Sequence, residues 1–506
     1  MFEVAELGQA IDKDEFDHQV PHLRTRLLEI QQTLSQADFP VVVLISGSDG
    51  AGKGEMVNRL NEWLDPRYMR TFAFGDKTQD ERERPDYWRF WRKLPQKGRI
   101  GLYVGSWYSD PIALRVSHRI NDVELDGYLA RIRLFERELA DDGALVIKVW
   151  LHLSKEAQAK RLDELEANPL TSWRVTELDR KHLQTYDDFR GIAEHALRQT
   201  SSAEAPWVVV ESADTNYRDI TVANHILQRV EYHLQARSEQ QEGDVENVPL
   251  IQRQKTLLDS LDLHQSIDKQ AYHHELELWQ GRLAELAREA QRQRVSMVLV
   301  LEGWDAAGKG GLIRRLVAAL DARNYQIIPI AAPTDEERAH HYLWRFWRHI
   351  PRDGKVTIYD RSWYGRVLVE RVEGFASRAE WMRAYSEINH FESQLVEHGT
   401  VLLKFWLHID KDEQLSRFKE REKISYKRHK ITDEDYRNRE RWSDYEVAVN
   451  DMVERTSTEL APWHLIEANS KRFARVKALK IVCQQIEQRL GLASATESAA
   501  AEDIPG

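Results

Sequence analysis

The sequence lacks most features of secreted, membrane-spanning or nucleic-acid-binding proteins. Cys483 is its single cysteine, which excludes an intrachain disulfide and fits a reducing compartment, so we expect a cytoplasmic protein. No apolar run approaches the roughly 18 residues that span a bilayer. No basic stretch precedes an apolar run near the N-terminus, so we expect no signal peptide. The net charge of -11 argues against nucleic acid or an anionic membrane as a partner, although a local basic pocket remains compatible with it.

One set of motifs occurs twice in these 506 residues, at a spacing of 256. The sequence GSDGAGKG at 47–54 returns as GWDAAGKG at 303–310, and WRFWR at 88–92 returns at 344–348. A repeat of this length indicates a duplicated domain rather than a solenoid. We therefore expect a first domain at 1–235, a polar linker at 236–250, a second domain at 251–491 and a disordered tail at 492–506.

The apolar pattern predicts an α/β fold. Each copy has an amphipathic helix, at about 21–36 and 273–294, followed by a short apolar run at 41–45 and 297–301. Such runs are too short for a buried helix and suit a strand that is covered on both faces. Further strands are predicted at 326–330, 356–359 and 401–409, with helical patterns between them. Alternating strands and helices predict a parallel sheet with helices on both faces.

A glycine-rich loop that ends in lysine lies between a strand and a helix in each copy. In the second copy the loop includes Gly303, Gly308, Lys309 and Gly310. Glycines let backbone N–H groups converge on phosphate oxygens, while the helix N-terminus and the lysine add positive charge. We interpret the loop as a phosphate cradle. The alternative is a glycine-rich turn followed by an ordinary surface lysine.

Any metal bound near this loop needs carboxylate ligands. The Ser or Thr that usually follows the lysine is replaced by Gly310, so Asp305, inside the loop, and Asp360, at the end of a predicted strand, become the candidates for Mg²⁺. A carboxylate at a strand end can also be a helix cap or a surface acid. The adjoining Arg361 and the second candidate ligand favour the metal.

A basic and aromatic segment follows the cradle at 343–349, and more arginines and lysines follow at 417–430. Either the tryptophans lie in the core with solvated arginines, or the arginines line a groove for a polyanion. The stretch from Arg421 to Lys430 can also be a solvated charged loop. Sequence alone leaves these alternatives open.

Several motifs in a fixed order resemble the polyphosphate kinase 2 family. They are 303–310, Leu343–Arg345, Tyr359–Tyr364, Ile388–Glu392, Lys404–His408, Trp442 and Thr456–Trp463. The resemblance covers the second copy and, more weakly, about 11–234 of the first. It implies two tandem three-layer α/β/α P-loop kinase domains with helical lids. The tandem form resembles the subclass that transfers phosphate from inorganic polyphosphate to AMP with Mg²⁺ and without a protein nucleophile.

The resemblance also implies roles for individual residues. Lys309 would cradle phosphate, Asp305 and Asp360 would hold Mg²⁺, and Asp305 would also orient or deprotonate the acceptor. Arg361 and Arg366 would neutralise the transferring group. The remaining catalytic candidates are Asn389 and Glu392, and the remaining phosphate-binding candidates are Arg345, Arg348, Lys404 and Arg417.

The first copy departs from this pattern where the chemistry would take place. Asp360 and Arg361 correspond to Val104 and Gly105. The other replaced residues are Arg366 by Asp110, Asn389 by Arg133 and Lys427 by Thr171, while Asp49, Lys53, Glu136, Lys148 and Arg161 persist. Losing a metal carboxylate and two cations should reduce the rate by orders of magnitude. We expect the second copy to be catalytic and the first to be structural or regulatory.

Other functions remain open at this point. A close relative would phosphorylate nucleoside diphosphates, converting ADP to ATP or GDP to GTP. More distant alternatives are an ATP-dependent P-loop kinase and a polyphosphate-binding protein without turnover. GMP as an acceptor and a homo-oligomeric state also follow only from the resemblance.

Overall fold

The computed structural model describes residues 1–175, 177–240, 256–423 and 433–492. The chain forms two compact units that divide near residue 247. The first unit also includes Thr334–His341 and the second also includes Thr78–Trp88, so neither unit is one contiguous stretch.

The predicted linker and tail fall largely outside the described residues. Residues 236–240 belong to the last helix of the first repeat, which ends at Gln240, so the linker cannot begin at 236. Residues 241–250 and 493–506 are not among the described ones.

Each repeat contains a five-stranded sheet in which every described strand pairing is parallel. The strand order is β2-β3-β1-β4-β5 in the first repeat and β7-β8-β6-β9-β10 in the second. The strands are β1 (Val41–Gly47), β2 (Met69–Ala73), β3 (Ile100–Val104), β4 (Leu145–His152), β5 (Trp207–Glu211), β6 (Met297–Gly303), β7 (Tyr325–Pro329), β8 (Val356–Asp360), β9 (Val401–His408) and β10 (Trp463–Glu467). The predicted α/β class with parallel sheets is confirmed.

Helices flank both sheets and occupy equivalent positions in the two repeats. Those of the first repeat are α1 (Lys13–Leu34), α2 (Lys53–Trp63), α3 (Gln79–Arg82), α4 (Trp88–Trp91), α5 (Ser109–Val116), α6 (Asp122–Asp141), α7 (Lys155–Ala167), α8 (Glu177–Gln184), α9 (Tyr186–Thr200) and α10 (Thr215–Gln240). Those of the second are α11 (Lys269–Arg292), α12 (Lys309–Val317), α13 (Asp335–Arg338), α14 (Trp344–Trp347), α15 (Val369–Val372), α16 (Arg378–Glu397), α17 (Lys411–Lys423), α18 (Asp433–Glu440), α19 (Trp442–Thr456) and α20 (Lys471–Leu490).

The first helix of each repeat begins earlier than the apolar pattern predicts. Asp12 caps α1 by accepting a hydrogen bond from the Glu15 backbone, and Asp268 caps α11 by accepting from Gln270 and Ala271. A capping side chain satisfies backbone N–H groups that would otherwise lack a partner, and so it fixes the helix start. The apolar periodicity locates only the part of the helix that faces the core.

The central strand β6 sets the position of the candidate site. Its first six residues are all buried, as expected for a strand covered on both faces. It ends at Gly303, where a Cβ atom would lie 2.5 Å from the Leu407 carbonyl oxygen, so only glycine fits. Its neighbour β8 ends at Asp360, which pairs with Leu301. The glycine loop and Asp360 therefore meet at the carboxyl edge of the sheet, where parallel α/β folds bind ligands.

Candidate active site

The loop between β6 and α12 has the geometry of an anion cradle. Gly308 lies in the left-handed region with φ of 118°, which turns the chain directly into α12 at Lys309. The Lys309 ammonium donates to the Gly303 carbonyl oxygen over 2.6 Å. Burial lowers the pKa of Lys309, and the nearby Arg361 charge adds to this, while Asp305 opposes it. The helix N-terminus and the lysine thus face one cleft, as the sequence predicts.

Asp305 and Arg361 form an ion pair across this cleft. Arg361 Nη2 lies 3.0 Å from Asp305 Oδ1. Burial would raise the pKa of Asp305, but the charges of Lys309 and Arg361, together with hydrogen bonds from Asn438 and Arg361, outweigh it and lower the pKa. Asp305 is therefore an ionised carboxylate at neutral pH, which is the form that binds a metal.

Two residues of the site have a left-handed backbone that normally favours glycine. Ala306 has φ of 64° and Arg361 has φ of 66°, and the equivalent residues of the first repeat are Gly50 and Gly105 at φ of 75° and 70°. A side chain in this conformation costs about 1–2 kcal/mol. The second repeat thus keeps strained residues where the first has relaxed glycines. Strain of this kind clusters at functional sites.

The cleft has a volume of about 330 Å³ and is lined mainly by polar groups. Its lining comprises Asp305 to Gly311, Arg314, Asp360, Arg361 and Arg421. Four cationic side chains therefore surround two carboxylates, an arrangement that suits a polyanion held with a divalent cation. The sequence predicts the loop, Asp360 and Arg361 as site residues, but it gives no role to Arg314 and places Arg421 in a charged segment. Arg314 could have been found from helical spacing, because it lies one turn after Gly310 on α12.

The carboxylates present fit a Mg²⁺ ion. The described residues contain no group of three or more His, Cys, Asp or Glu side chains arranged to hold a metal. Mg²⁺ commonly uses only one or two protein carboxylates and completes its shell with water and substrate phosphates. Asp305 and Asp360 both line the cleft beside the cradle, so they can supply those two ligands.

A buried carboxylate that the sequence reasoning missed lies beneath the cleft. Glu302, the residue before Gly303, accepts a hydrogen bond of 2.8 Å from the Ser362 hydroxyl. Burial raises the pKa of Glu302, while the Lys309 charge opposes this. The bond joins the end of β6 to the residue that follows Arg361. It therefore helps to hold Arg361 in its strained conformation.

The structure places Glu392 and Lys404 in the interior, away from the cleft lining. Lys404 Nζ lies 2.7 Å from Glu392 Oε2 and also donates to the Thr456 carbonyl, while the Tyr364 hydroxyl donates to Glu392. The first repeat builds the same network from Glu136, Lys148, Tyr108 and Thr200. Because both repeats keep the network, we interpret it as structural. The catalytic role of Glu392 and the phosphate-binding role of Lys404 stay predictions that these contacts do not support.

Arg417 supports the phosphate loop from behind and has no donor left for phosphate. Its five N–H groups are the full donor capacity of a guanidinium. Nε bonds to Glu413, and the two terminal nitrogens bond to four backbone carbonyl oxygens, those of Ala306, Ala307, Ala468 and Asn469. Its predicted phosphate-binding role is therefore corrected to positioning of the loop.

Asn389 and Arg366 also make protein contacts instead of lining the cleft. Asn389 donates to the Arg455 carbonyl oxygen. Its counterpart in the first repeat, Arg133, donates to the equivalent carbonyl oxygen of Gln199, so both repeats keep this side-chain to backbone hydrogen bond. Arg366 lies 3.2 Å from Glu370 and stacks on Tyr342, and it also approaches Glu380. Neither residue is brought to the cleft with Asp305.

Arg345 and Arg348 lie outside the cleft lining as well. Arg345 donates to the Ala331 carbonyl oxygen, and the Arg348 guanidinium lies 4.8 Å from the centre of the Trp344 ring. Their predicted phosphate contacts remain predictions. Lys427 falls outside the described residues.

The equivalent loop of the first repeat is filled by its own side chains. Glu55, which replaces Gly311, sits in the first turn of α2 and bonds to Arg161 and Arg218. The Arg218 side chain passes within 1.8 Å of where a Cβ of Gly52 would lie, so it fills the mouth of the loop. Lys53 bonds to the Gly47 carbonyl and to Asp49. A carboxylate therefore occupies the helix N-terminus that would attract a phosphate.

The cations that line the cleft are also missing from the first repeat. Arg314, Arg361 and Arg421 correspond to Asn58, Gly105 and Leu165. Of the charged cleft residues, the first repeat keeps only Lys53 and Asp49, and it adds Glu55. The cations that do lie at this loop, Lys53, Arg161 and Arg218, are bonded to Asp49 or Glu55, so their charge is already neutralised within the protein.

Comparison with known proteins gives consistent matches. The family model for Polyphosphate kinase 2 (PPK2) matches residues 10–238 and 266–491. A polyphosphate:AMP phosphotransferase from Pseudomonas aeruginosa is 53% identical over 96% of this chain and 99% of its own length. An ADP-polyphosphate phosphotransferase from Rhizobium meliloti is 35% identical, but it covers 44% of this chain and 72% of its own length.

The fold matches a solved structure over nearly its whole length. A crystal structure named for a polyphosphate kinase 2 from Pseudomonas aeruginosa superimposes with a TM-score of 0.87 at 51% identity, covering 97% of this chain and 99% of that one. The described residues contain no helix that is both long and apolar enough to cross a membrane.

Proposed function

The chain belongs to the polyphosphate kinase 2 family, and on that premise we propose that it is a polyphosphate:AMP phosphotransferase. The reaction converts AMP and a polyphosphate chain into ADP and a chain that is one phosphate shorter. The acceptor assignment is supported by a relative of that name that matches both repeats over nearly its whole length. The relative named for ADP matches less than half of the chain.

The observation that carries the proposal is the composition of the cleft. Four cations surround two carboxylates at the carboxyl edge of the second sheet. Phosphoryl transfer passes through a loose transition state that needs in-line positioning and charge neutralisation more than covalent help from the protein. Lys309 and the N–H groups that begin α12 would hold one phosphate of the chain. Arg314, Arg361 and Arg421 would neutralise charge on the phosphates beside it.

The bond changes need no protein nucleophile. An oxygen of the AMP phosphate attacks the terminal phosphorus of the chain, and the bond from that phosphorus to the bridging oxygen breaks. A phosphate monoester has its second pKa near 6, so the attacking oxygen already carries charge at neutral pH. We therefore assign Asp305 to orientation and metal binding rather than to removal of a proton.

Mg²⁺ is part of the proposal. Asp305 and Asp360 would hold it beside the cradle, since Mg²⁺ commonly uses one or two protein carboxylates. The ion would supply positive charge that offsets the negative charge of the polyphosphate end and of the AMP phosphate. Glu302 and Ser362 would keep the Asp360–Arg361 segment in place, because their hydrogen bond fixes the residue after Arg361.

The first repeat is assigned a structural or regulatory role. It lacks the equivalents of Asp360 and Arg361, and Glu55 and Arg218 fill its loop. We propose further that the protein acts in the cytoplasm, that GMP can replace AMP to some extent, and that it forms a homo-oligomer. The cytoplasmic location rests on the single buried cysteine. The GMP acceptor and the homo-oligomer rest on the family resemblance.

The test is ADP formation from AMP, long-chain polyphosphate and Mg²⁺ in the absence of ATP. We expect ADP to accumulate only when all three are present. ATP formed from added ADP, with no reaction of AMP, would assign the protein to the diphosphate kinases. Failure with both acceptors, while labelled polyphosphate still binds, would identify a binding protein instead.

A further inference from the structure

The two carboxylate oxygens of Asp305 are held by donors from different parts of the second repeat. Oδ1 accepts from Arg361 over 3.0 Å, and Oδ2 accepts from the side-chain amide of Asn438 over 3.1 Å. Asn438 lies on α18, 133 residues from Asp305 in sequence. The Gln414 side chain on α17 also donates to the Asp305 backbone carbonyl. Asp305 is thus tied to the helices that follow β9.

Asn438 is itself oriented by α19. Its amide oxygen lies 3.3 Å from the Tyr445 hydroxyl, which is slightly farther, at 3.5 Å, from its other acceptor, Glu373 Oε1. The contact with Tyr445 leaves the amide N–H groups as the donors that face Asp305, since an amide carries its acceptor and its donors on opposite sides. On the same helix, Trp442 stacks on Trp304 with ring centres 3.7 Å apart and planes at 8°. Trp304 directly precedes Asp305, so α19 fixes both the loop and the amide.

The first repeat has lost this arrangement together with the other charged groups of the site. Asn438, Tyr445 and Trp304 correspond to His182, Phe189 and Ser48. Phe189 lacks the hydroxyl that orients the amide, and Ser48 cannot stack. By contrast, the buried network around Lys404 is kept in both repeats. Asn438, Tyr445 and Trp304 therefore occur in the repeat that has the charged cleft residues, and the fold of the first repeat forms without them.

We propose that Asn438 is a positioning residue that fixes the Asp305 carboxylate for divalent-cation binding. The inference rests on the proposed function, since it concerns the metal of that same site. An amide that bonds one oxygen of a ligating carboxylate limits its rotation and keeps its free lone pairs aimed into the cleft. Hydrogen-bond partners of metal ligands of this kind typically contribute about 10–100-fold to metal affinity or activity.

The test compares Asn438→Ala with a matched loss of an amide elsewhere on these helices. The control is Asn450→Ala, because Asn450 donates to the Glu446 carbonyl within α19 and to no other group among the described residues. Mn²⁺ alone is titrated into each protein and free ion is followed by electron paramagnetic resonance. In parallel, the Mg²⁺ concentration that gives half-maximal ADP formation is measured. Thermal unfolding reports whether either variant has lost its fold.

We expect Asn438→Ala to weaken Mn²⁺ binding and to raise the half-maximal Mg²⁺ concentration by about tenfold. Asn450→Ala should change both by less than about twofold, and saturating Mg²⁺ should restore much of the Asn438→Ala activity. An Asn438→Ala protein that differs from wild type only in its unfolding temperature would overturn the inference. Wild-type protein that makes ADP but binds Mn²⁺ no better than Asp305→Asn would overturn it as well. If wild type makes no ADP, the proposed function fails, and the Mn²⁺ titration alone then decides the role of Asn438.

Discussion

Arg361 Nη2 lies 3.0 Å from Asp305 Oδ1, and Arg361 makes this contact from a left-handed backbone with φ of 66°. Glycine at position 361 would relieve this strain, but it would also remove a cation from the cleft. The first repeat has made this change, since Gly105 occupies the same conformation. Stability and activity should thus be opposed at this position.

Arg361→Gly should abolish most activity without destabilising the protein. We expect ADP formation to fall by at least about a hundredfold, because a donor to the transferring phosphate is lost. The free energy of unfolding should stay level or rise by up to about 1 kcal/mol as the strain is released. Activity assays and urea unfolding measure the two effects.

The matched control for that change is Ala306→Gly. It relieves the same backbone strain at φ of 64° but removes no charge. We expect a stability gain of about 1 kcal/mol with activity within a few-fold of wild type. A large loss of activity in Ala306→Gly would mean that the loop backbone, and not the Arg361 cation, accounts for the first result.

Lys404→Met should reduce stability much more than catalysis. The change leaves Glu392 buried without its partner, which typically costs about 3–5 kcal/mol. The double variant Lys404→Met/Glu392→Leu should recover much of that loss, since no charge is then buried alone. We expect activity per folded molecule at low temperature to stay within a few-fold of wild type. A selective rise in the KM for polyphosphate would instead support a phosphate-binding role for Lys404.

Stability should fall in mild acid because of His408. Its ring nitrogen accepts hydrogen bonds from the indoles of Trp304 and Trp406, and burial lowers its pKa to about 4. The unfolded state, with a pKa near 6.5, binds the proton more readily, so this stabilisation is present above about pH 6.5 and is lost as pH falls toward 4. The loss amounts to about 3 kcal/mol. Between pH 7 and 4, the free energy of unfolding measured in urea should fall less for His408→Gln than for wild type.

Glu55→Gly should open the loop of the first repeat to phosphate. The change frees Arg161 and Arg218 and removes a carboxylate from the N-terminus of α2. In a protein whose second site is disabled by Lys309→Ala, we expect the Kd for tripolyphosphate to fall by about fivefold, equivalent to about 1 kcal/mol. Calorimetry measures this directly. An unchanged Kd would show that Glu55 does not block the loop.

The sequence predicted the sheet and the central residues of the site because both depend on local patterns. Apolar runs located the strands, and the glycine loop with Asp360 and Arg361 lies at strand ends that a parallel sheet brings together. Asn438 was missed because nothing in its own sequence surroundings marks a partner 133 residues away. Lys404 and Arg417 were predicted to bind phosphate because family motifs contain both cleft residues and the buried residues that support them, and sequence alone does not separate the two kinds.

The central claim is that the second repeat alone carries out the transfer. The most direct measurement is ADP formation from AMP and polyphosphate by two variants that place the same change in each repeat, Lys309→Ala and Lys53→Ala. We predict that Lys309→Ala loses at least about a hundredfold in kcat, whereas Lys53→Ala stays within about twofold of wild type. Equal losses in the two variants, or a larger loss in Lys53→Ala, would contradict this account.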